Sequence, residues 1–171
     1  MSNVKGNSLF FLAFLSAIAC SLHIVESLIT RALPLPFLRL GLSNVIILYL
    51  IVNNKAWQAI IVNITKTLVS AVVTFTFLSP GTLISLGAGL AAVLAMLLAQ
   101  KSRLGFSTYG ISICGATAHN MAQLIIAKWV ILDRSEVFVL TPILLFLGLV
   151  SGLITAYILQ LFSHRIEEIK C

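Results

Sequence analysis

Acidic residues are scarce in this chain. One aspartate, Asp133, and four glutamates, Glu26, Glu136, Glu167 and Glu168, are all that 171 residues contain. No aspartate-rich cluster can form, which argues against chemistry that holds Mg²⁺ on a diphosphate. No P-loop spacing occurs, so any ATP-driven work would need a separate ATPase. The three cysteines, Cys20, Cys114 and Cys171, show no CxxC and no Cys/His spacing that would suit a metal. No catalytic residue, cofactor or metal ion is therefore expected. Charge of either sign is thin, at 9% of residues against 60% hydrophobic, with a mean hydropathy of +1.10. A water-soluble domain of this size needs more charge to cover its surface. The net charge of +6 comes from basic residues scattered among hydrophobic runs, so nucleic-acid binding is not expected.

What the chain does have is six long apolar runs. They are Leu9 to Ile29, Leu40 to Val52, Ala56 to Leu78, Leu83 to Ala99, Ser107 to Leu132 and Val139 to Phe162. A helix needs about 20 apolar residues to cross a bilayer. The second run is too short for that and predicts a short or broken helix buried by its neighbours. Pro34 and Pro36, Asn53 and Asn54, Ser79-Pro80-Gly81, Lys101 to Gly105 and Asp133 to Glu136 supply the breaks. The expected architecture is an all-α integral membrane protein, a bundle of about six transmembrane helices forming one domain over 1–171. With the N-terminus in the cytoplasm, the inner segments hold Lys5, Lys55, Lys101, Arg103, Arg165 and Lys170, and the outer ones Arg31, Arg39, Lys128 and Arg134. The bias toward the inside favours both termini cytoplasmic, and the expected location is a bacterial inner membrane.

Polar groups within membrane helices are costly, so each asks for a reason. In the third run Asn63, Lys66, Thr67, Ser70 and Thr74 recur at three- and four-residue steps, on one helix face. The Ser and Thr members are accounted for by hydroxyls bonded to their own backbone. Lys66 is not, because a buried ammonium needs partners. In the first run Ser16, His23, Ser27 and Thr30 share a face flanked by Glu26, while Ala13-x-x-x-Ala17 lies about 180° from Glu26 and lets another helix approach. The fifth run holds the densest cluster, His119-Asn120 with Gln123 one turn on. Gly148-x-x-x-Gly152-x-x-x-Ala156 and the small residues of the fourth run read as packing surfaces. With the helix directions above, most of His23, Glu26, Arg39, Asn44, Asn63, Lys66, Ser85, His119, Asn120 and Gln123 converge on the outer half of the bundle, with Lys66 and His119 near its middle. They are the expected substrate-binding residues. Arg31, Arg39 and Lys66 against Glu26 suit a small anionic or phosphate-bearing ligand.

Three stretches carry a resemblance: Pro36-Phe-Leu-Arg39-Leu-Gly41-Leu-Ser-Asn44, Ser85-Leu-Gly-Ala-Gly89, and Gly115-Ala-x-Ala-His119-Asn120-x-x-Gln123. Across nearly the whole chain they resemble the Gx transporters, membrane proteins often labelled heptaprenyl diphosphate synthase component I. That family in turn is similar to the S components of energy-coupling-factor importers, six-helix bundles that capture vitamins on the outer side. The resemblance implies an S-component-like bundle whose Ala13 and Ala17 dock a transmembrane coupling subunit, with paired ATPases supplying energy. Two other readings stay open: a non-catalytic membrane partner of polyprenyl diphosphate or quinone synthesis, and a proton-coupled carrier using His23, Glu26 and Lys66.

Overall fold

The chain is all-α in a computed structural model, with no strand among the described residues. These are 2–32, 41–102, 105–130, 139 and 141–170; side chains are described over 9–29, 41–102, 105–130, 139 and 141–163. The helices are α1 (Ser2–Ala32), α2 (Asn44–Val52), α3 (Ala56–Val73), α4 (Pro80–Lys101), α5 (Thr108–Val130) and α6 (Thr141–Lys170). Arg39, the Arg31 side chain, Pro34, Pro36 and the break from Asp133 to Glu136 lie outside the described residues.

Four helices are long and apolar enough to cross a membrane, over Leu9–Ile29, Ala56–Val73, Pro80–Lys101 and Thr141–Ser163. At 23 residues α5 is long enough, about 35 Å. His119, Asn120, Gln123 and Lys128 dilute its hydropathy, so it does not join the four. With nine residues α2 reaches only about 14 Å and cannot span. It is instead the centre of the bundle, packed against each of the other five helices. That explains its composition: a helix with neighbours on most sides carries apolar residues all round, with Val45, Ile47, Leu48, Leu50 and Ile51 buried and Ile46 and Tyr49 half-buried.

Helix ends differ from the ends of the apolar runs. The third run continues to Leu78, yet α3 stops at Val73 and Phe75 turns back with φ +53. The turn is tied by hydroxyls: Thr74 Oγ1 donates to the Ser70 carbonyl at 2.7 Å, and Thr82 Oγ1 to the Thr76 carbonyl at 2.6 Å. Pro80 then opens α4 three residues before the run begins, where a fixed φ and a missing N–H cost nothing. Hydropathy reports what faces lipid; turns are decided by backbone chemistry. The α2–α3 connection is shorter, with Asn54 at φ +58 and Gln100 Nε2 of α4 donating to the Ile51 carbonyl at 2.5 Å. Asn is the residue type beside glycine that tolerates this conformation.

Small residues set the closest approaches. A Cβ on Gly152 of α6 would stand 2.8 Å from Ile113 Cα of α5, and one on Gly148 would stand 3.2 Å from Thr117 Cα. Between α4 and α5, Gly115 makes room for Met96. The main apolar core is built by Leu15 and Ala19 of α1, most of α2, Ala59 and Val62, Val93, Met96 and Ala99, Ile111, and Ala156 and Leu159. These positions cluster around the C-terminal part of α2. The other half of the bundle, around the N-terminus of α2, is polar inside.

Candidate functional site

Each side chain of this polar half is placed by the helix that carries it. On α1 the inward positions are Leu15, Ala19, His23 and Glu26, all buried at steps of three and four. Glu26 therefore faces inward more squarely than Ser27, which is half-buried. The Thr30 side chain lies outside the described residues. Ala13 and Ala17 are exposed on the opposite face with Ser21, whereas Cys20 turns inward and is buried. On α3 Asn63, Lys66, Thr67 and Ser70 are buried along one stripe. Thr67 Oγ1 donates to the Asn63 carbonyl at 2.9 Å, a local backbone bond of the kind expected for the hydroxyls.

Lys66 is 3% exposed and its ammonium is held by the start of α2. Nζ donates to Asn44 Oδ1 at 2.7 Å and to Ser43 Oγ at 3.0 Å. His23 Nδ1 stands 3.5 Å from the same Ser43 Oγ, at the edge of hydrogen-bond reach. The Glu26 carboxylate accepts from the Gly41 backbone N–H. Gly41 has φ +68, a conformation that a side chain would strain, and it brings its N–H round to Glu26 just before α2 begins. Glu26 and Lys66 thus pin the N-terminus of the central helix from two sides.

These groups line one cavity together with Asn63, Thr67, Ser85, Gly89 and His119, so five helices contribute to it. Its free space is about 10 Å³, roughly the room of one water molecule. Gly89 matters to its shape, because a Cβ there would lie 2.5 Å from Asn63 Oδ1. A second cavity of similar size adjoins it, lined by Gly41, Asn44, Met96, Ser112, Ala116, His119, Asn120, Ser151 and Thr155. Gly41, Asn44 and His119 belong to both and form the partition between them.

The expected convergence of His119, Asn120 and Gln123 on Lys66 and Asn63 is met by His119 alone. Asn120 faces the second cavity, and its Nδ2 donates to the Leu144 carbonyl of α6 at 2.8 Å. At 100° per residue Asn120 is rather more than a quarter of a helical turn from His119, which keeps it out of the chamber of Lys66 while His119 borders both. Gln123 is buried but lines neither cavity, although it is one turn from His119. His23, Glu26 and Asn44 share the chamber of Lys66. The charge balance also shifts: the described lining holds one Lys and one Glu, since the Arg39 expectation falls outside the described residues. Ser151 and Thr155 were not foreseen, because α6 reads as packing surface alone. The signal was present: each lies three residues after a stripe glycine, Gly148 or Gly152, on the edge of the buried face.

The profile of the family described as heptaprenyl diphosphate synthase component I matches residues 15–162. The chain belongs to that family. The heptaprenyl diphosphate synthase component I match runs from the inward face of α1 to α6 and takes in every residue lining the two cavities. No curated protein and no solved structure matches the chain.

Proposed function

We propose that this member of the family is a substrate-binding integral membrane subunit for small-molecule uptake, working as an energy-coupling-factor S component does. The observation that carries this reading is the buried polar chamber around Lys66, to which five helices contribute. Buried amides, hydroxyls and an ammonium are expensive in a bundle set in lipid, and structure alone needs fewer of them. The chamber lies in the half of the bundle predicted to face outward, with both termini in the cytoplasm of a bacterial cell. The chamber has room for about one water as it stands, so it would have to widen to admit a small solute bearing an anionic or phosphate group, held by Lys66 and oriented by the amide and imidazole groups. The subunit itself is not an enzyme in this reading, since it has one aspartate and no P-loop. Energy would come from ATPases through a transmembrane coupling subunit docked on the Ala13 and Ala17 face, which is exposed.

Affinity purification of the tagged chain from its native membrane tests this directly. The wild-type chain is expected to bring down a coupling subunit with ATPases, and Ala13→Leu with Ala17→Leu to lose them while keeping its helical circular dichroism. Unchanged recovery from the double variant would remove this docking face.

One finding favours a second reading, a non-catalytic membrane partner of polyprenyl diphosphate synthesis. It is the description of the family itself, which names a synthase component. The same purification separates the two, because a prenyl synthase without ATPases would be recovered in this case.

A further inference from the structure

Asn63 is 0% exposed, and neither Nδ2 nor Oδ1 has a hydrogen-bond partner among the described residues. Exchanging the two atoms by flipping the amide changes nothing, because both positions are unpartnered. A buried amide left in this state costs several kcal/mol in apolar surroundings. The bundle nonetheless reserves space for it: Gly89 of α4 faces it, and a Cβ at that position would collide with both amide atoms, at 2.5 and 2.8 Å. A core position with no task would be served by leucine or alanine. The amide also borders the same cavity as Lys66, Ser85 and His119.

We propose that Asn63 is the recognition amide of this cavity, and that it reads a ligand edge presenting a hydrogen-bond donor beside an acceptor, as in an amide or lactam. The inference rests on the substrate-capture reading and narrows its ligand. Nδ2 needs an acceptor and Oδ1 needs a donor. A fully ionised diphosphate offers acceptors only, so it would leave Oδ1 unpaired. The charges bordering the cavity agree: Lys66 is opposed by Glu26, so the described lining does not favour a multiply charged anion. An anionic group elsewhere on the ligand is compatible with Lys66. What Asn63 touches is neutral and two-sided.

Four probes of graded chemistry test this on the full chain in detergent: acetamide with a donor beside an acceptor, acetate and pyrophosphate with acceptors only, and acetamidinium with donors only. A probe that binds the folded state raises the unfolding temperature in a saturable way. Acetamide is expected to raise that temperature more than acetate, acetamidinium or pyrophosphate does. Asn63→Asp, an acceptor-only replacement of the same shape, is expected to lose the acetamide response and to gain one to acetamidinium. Asn63→Ala introduces no charge and is expected to lose the acetamide response without gaining another, which covers the case in which the aspartate variant does not fold. Saturable stabilisation by acetate or pyrophosphate that both Asn63 variants retain would overturn the proposal. So would the absence of any response, which would leave Asn63 served by a buried water. Neither result touches the purification of ATPases with the chain, so failure here is distinguishable from failure of the capture reading.

Discussion

Gly152→Ala is expected to destabilise the bundle by about 1–3 kcal/mol, while the same change at Gly81 is expected to be neutral or to stabilise by up to about 1 kcal/mol. Both residues are helical, so both gain the same intrinsic preference of alanine over glycine. Space sets the difference. At Gly81 the new methyl meets, among the described residues, only Ser79 Oγ, at 3.6 Å. At Gly152 it meets the Ile113 backbone, with Cα at 2.8 Å and N at 3.1 Å. Backbone atoms cannot rotate away, so α5 and α6 must separate. Separation also strains the bond from Ser112 Oγ to the Gly152 carbonyl, 2.7 Å long, which contributes about 1 kcal/mol when intact. In lipid no hydrophobic force pulls two helices together, and close packing of this kind supplies much of the association. Gly152→Leu extends the series and is expected to cost more than alanine. Unfolding midpoints in detergent, with far-ultraviolet circular dichroism to confirm helix content, give the comparison. Equal midpoints for Gly152→Ala and Gly81→Ala would mean that α5 and α6 do not meet at these residues.

The packing stripe of α6 could be read from the sequence because small residues four apart leave little else to do in a membrane helix. The inward stripe of α3 was legible for the same kind of reason: a polar residue there stands out against its apolar neighbours, and Asn63, Lys66, Thr67 and Ser70 fall on one face at helical spacing. The short second run was also informative, since nine helical residues cannot cross a bilayer and must be enclosed. Two things were not legible. Which chamber a side chain enters depends on rotations of rather more than a quarter of a turn, and periodicity does not fix helix rotation relative to five neighbours. Asn120 and His119 are adjacent in sequence, yet of the two His119 alone borders the chamber of Lys66. Helix ends were missed where apolar residues continue through a turn, as Phe75, Phe77 and Leu78 do, all exposed on the bundle surface. Hydropathy cannot see the hydroxyl bonds of Thr74 and Thr82 that close that turn.

Lys66 and Asn44 are expected to show a coupling of about 1.5–3 kcal/mol in a double-mutant cycle of Lys66→Met and Asn44→Ala, the range for a buried hydrogen bond to a charged group. The stability of Lys66→Met alone is a poor reporter, because two effects oppose each other. Removing the ammonium relieves a desolvation cost, and it leaves Asn44 Oδ1 and Ser43 Oγ without their donor. The cycle cancels the first effect and isolates the part of the second that passes through Asn44. A local consequence follows from the position of these acceptors. Ser43 and Asn44 open α2, the helix that every other helix touches. Its first turn holds through Asn44 N–H to the Gly41 carbonyl at 2.8 Å and Val45 N–H to the Leu42 carbonyl at 3.1 Å. With the Lys66 anchor gone, Glu26 on Gly41 is left, among the described residues, as the other charged tie on that segment, and the amides of Asn44 and Val45 are expected to exchange hydrogen faster than in the wild type. Amides of α6 beyond Thr155, the last residue that lines either cavity, serve as the internal standard. Additive effects of the two substitutions, with unchanged exchange at the start of α2, would show that Lys66 does not hold this helix.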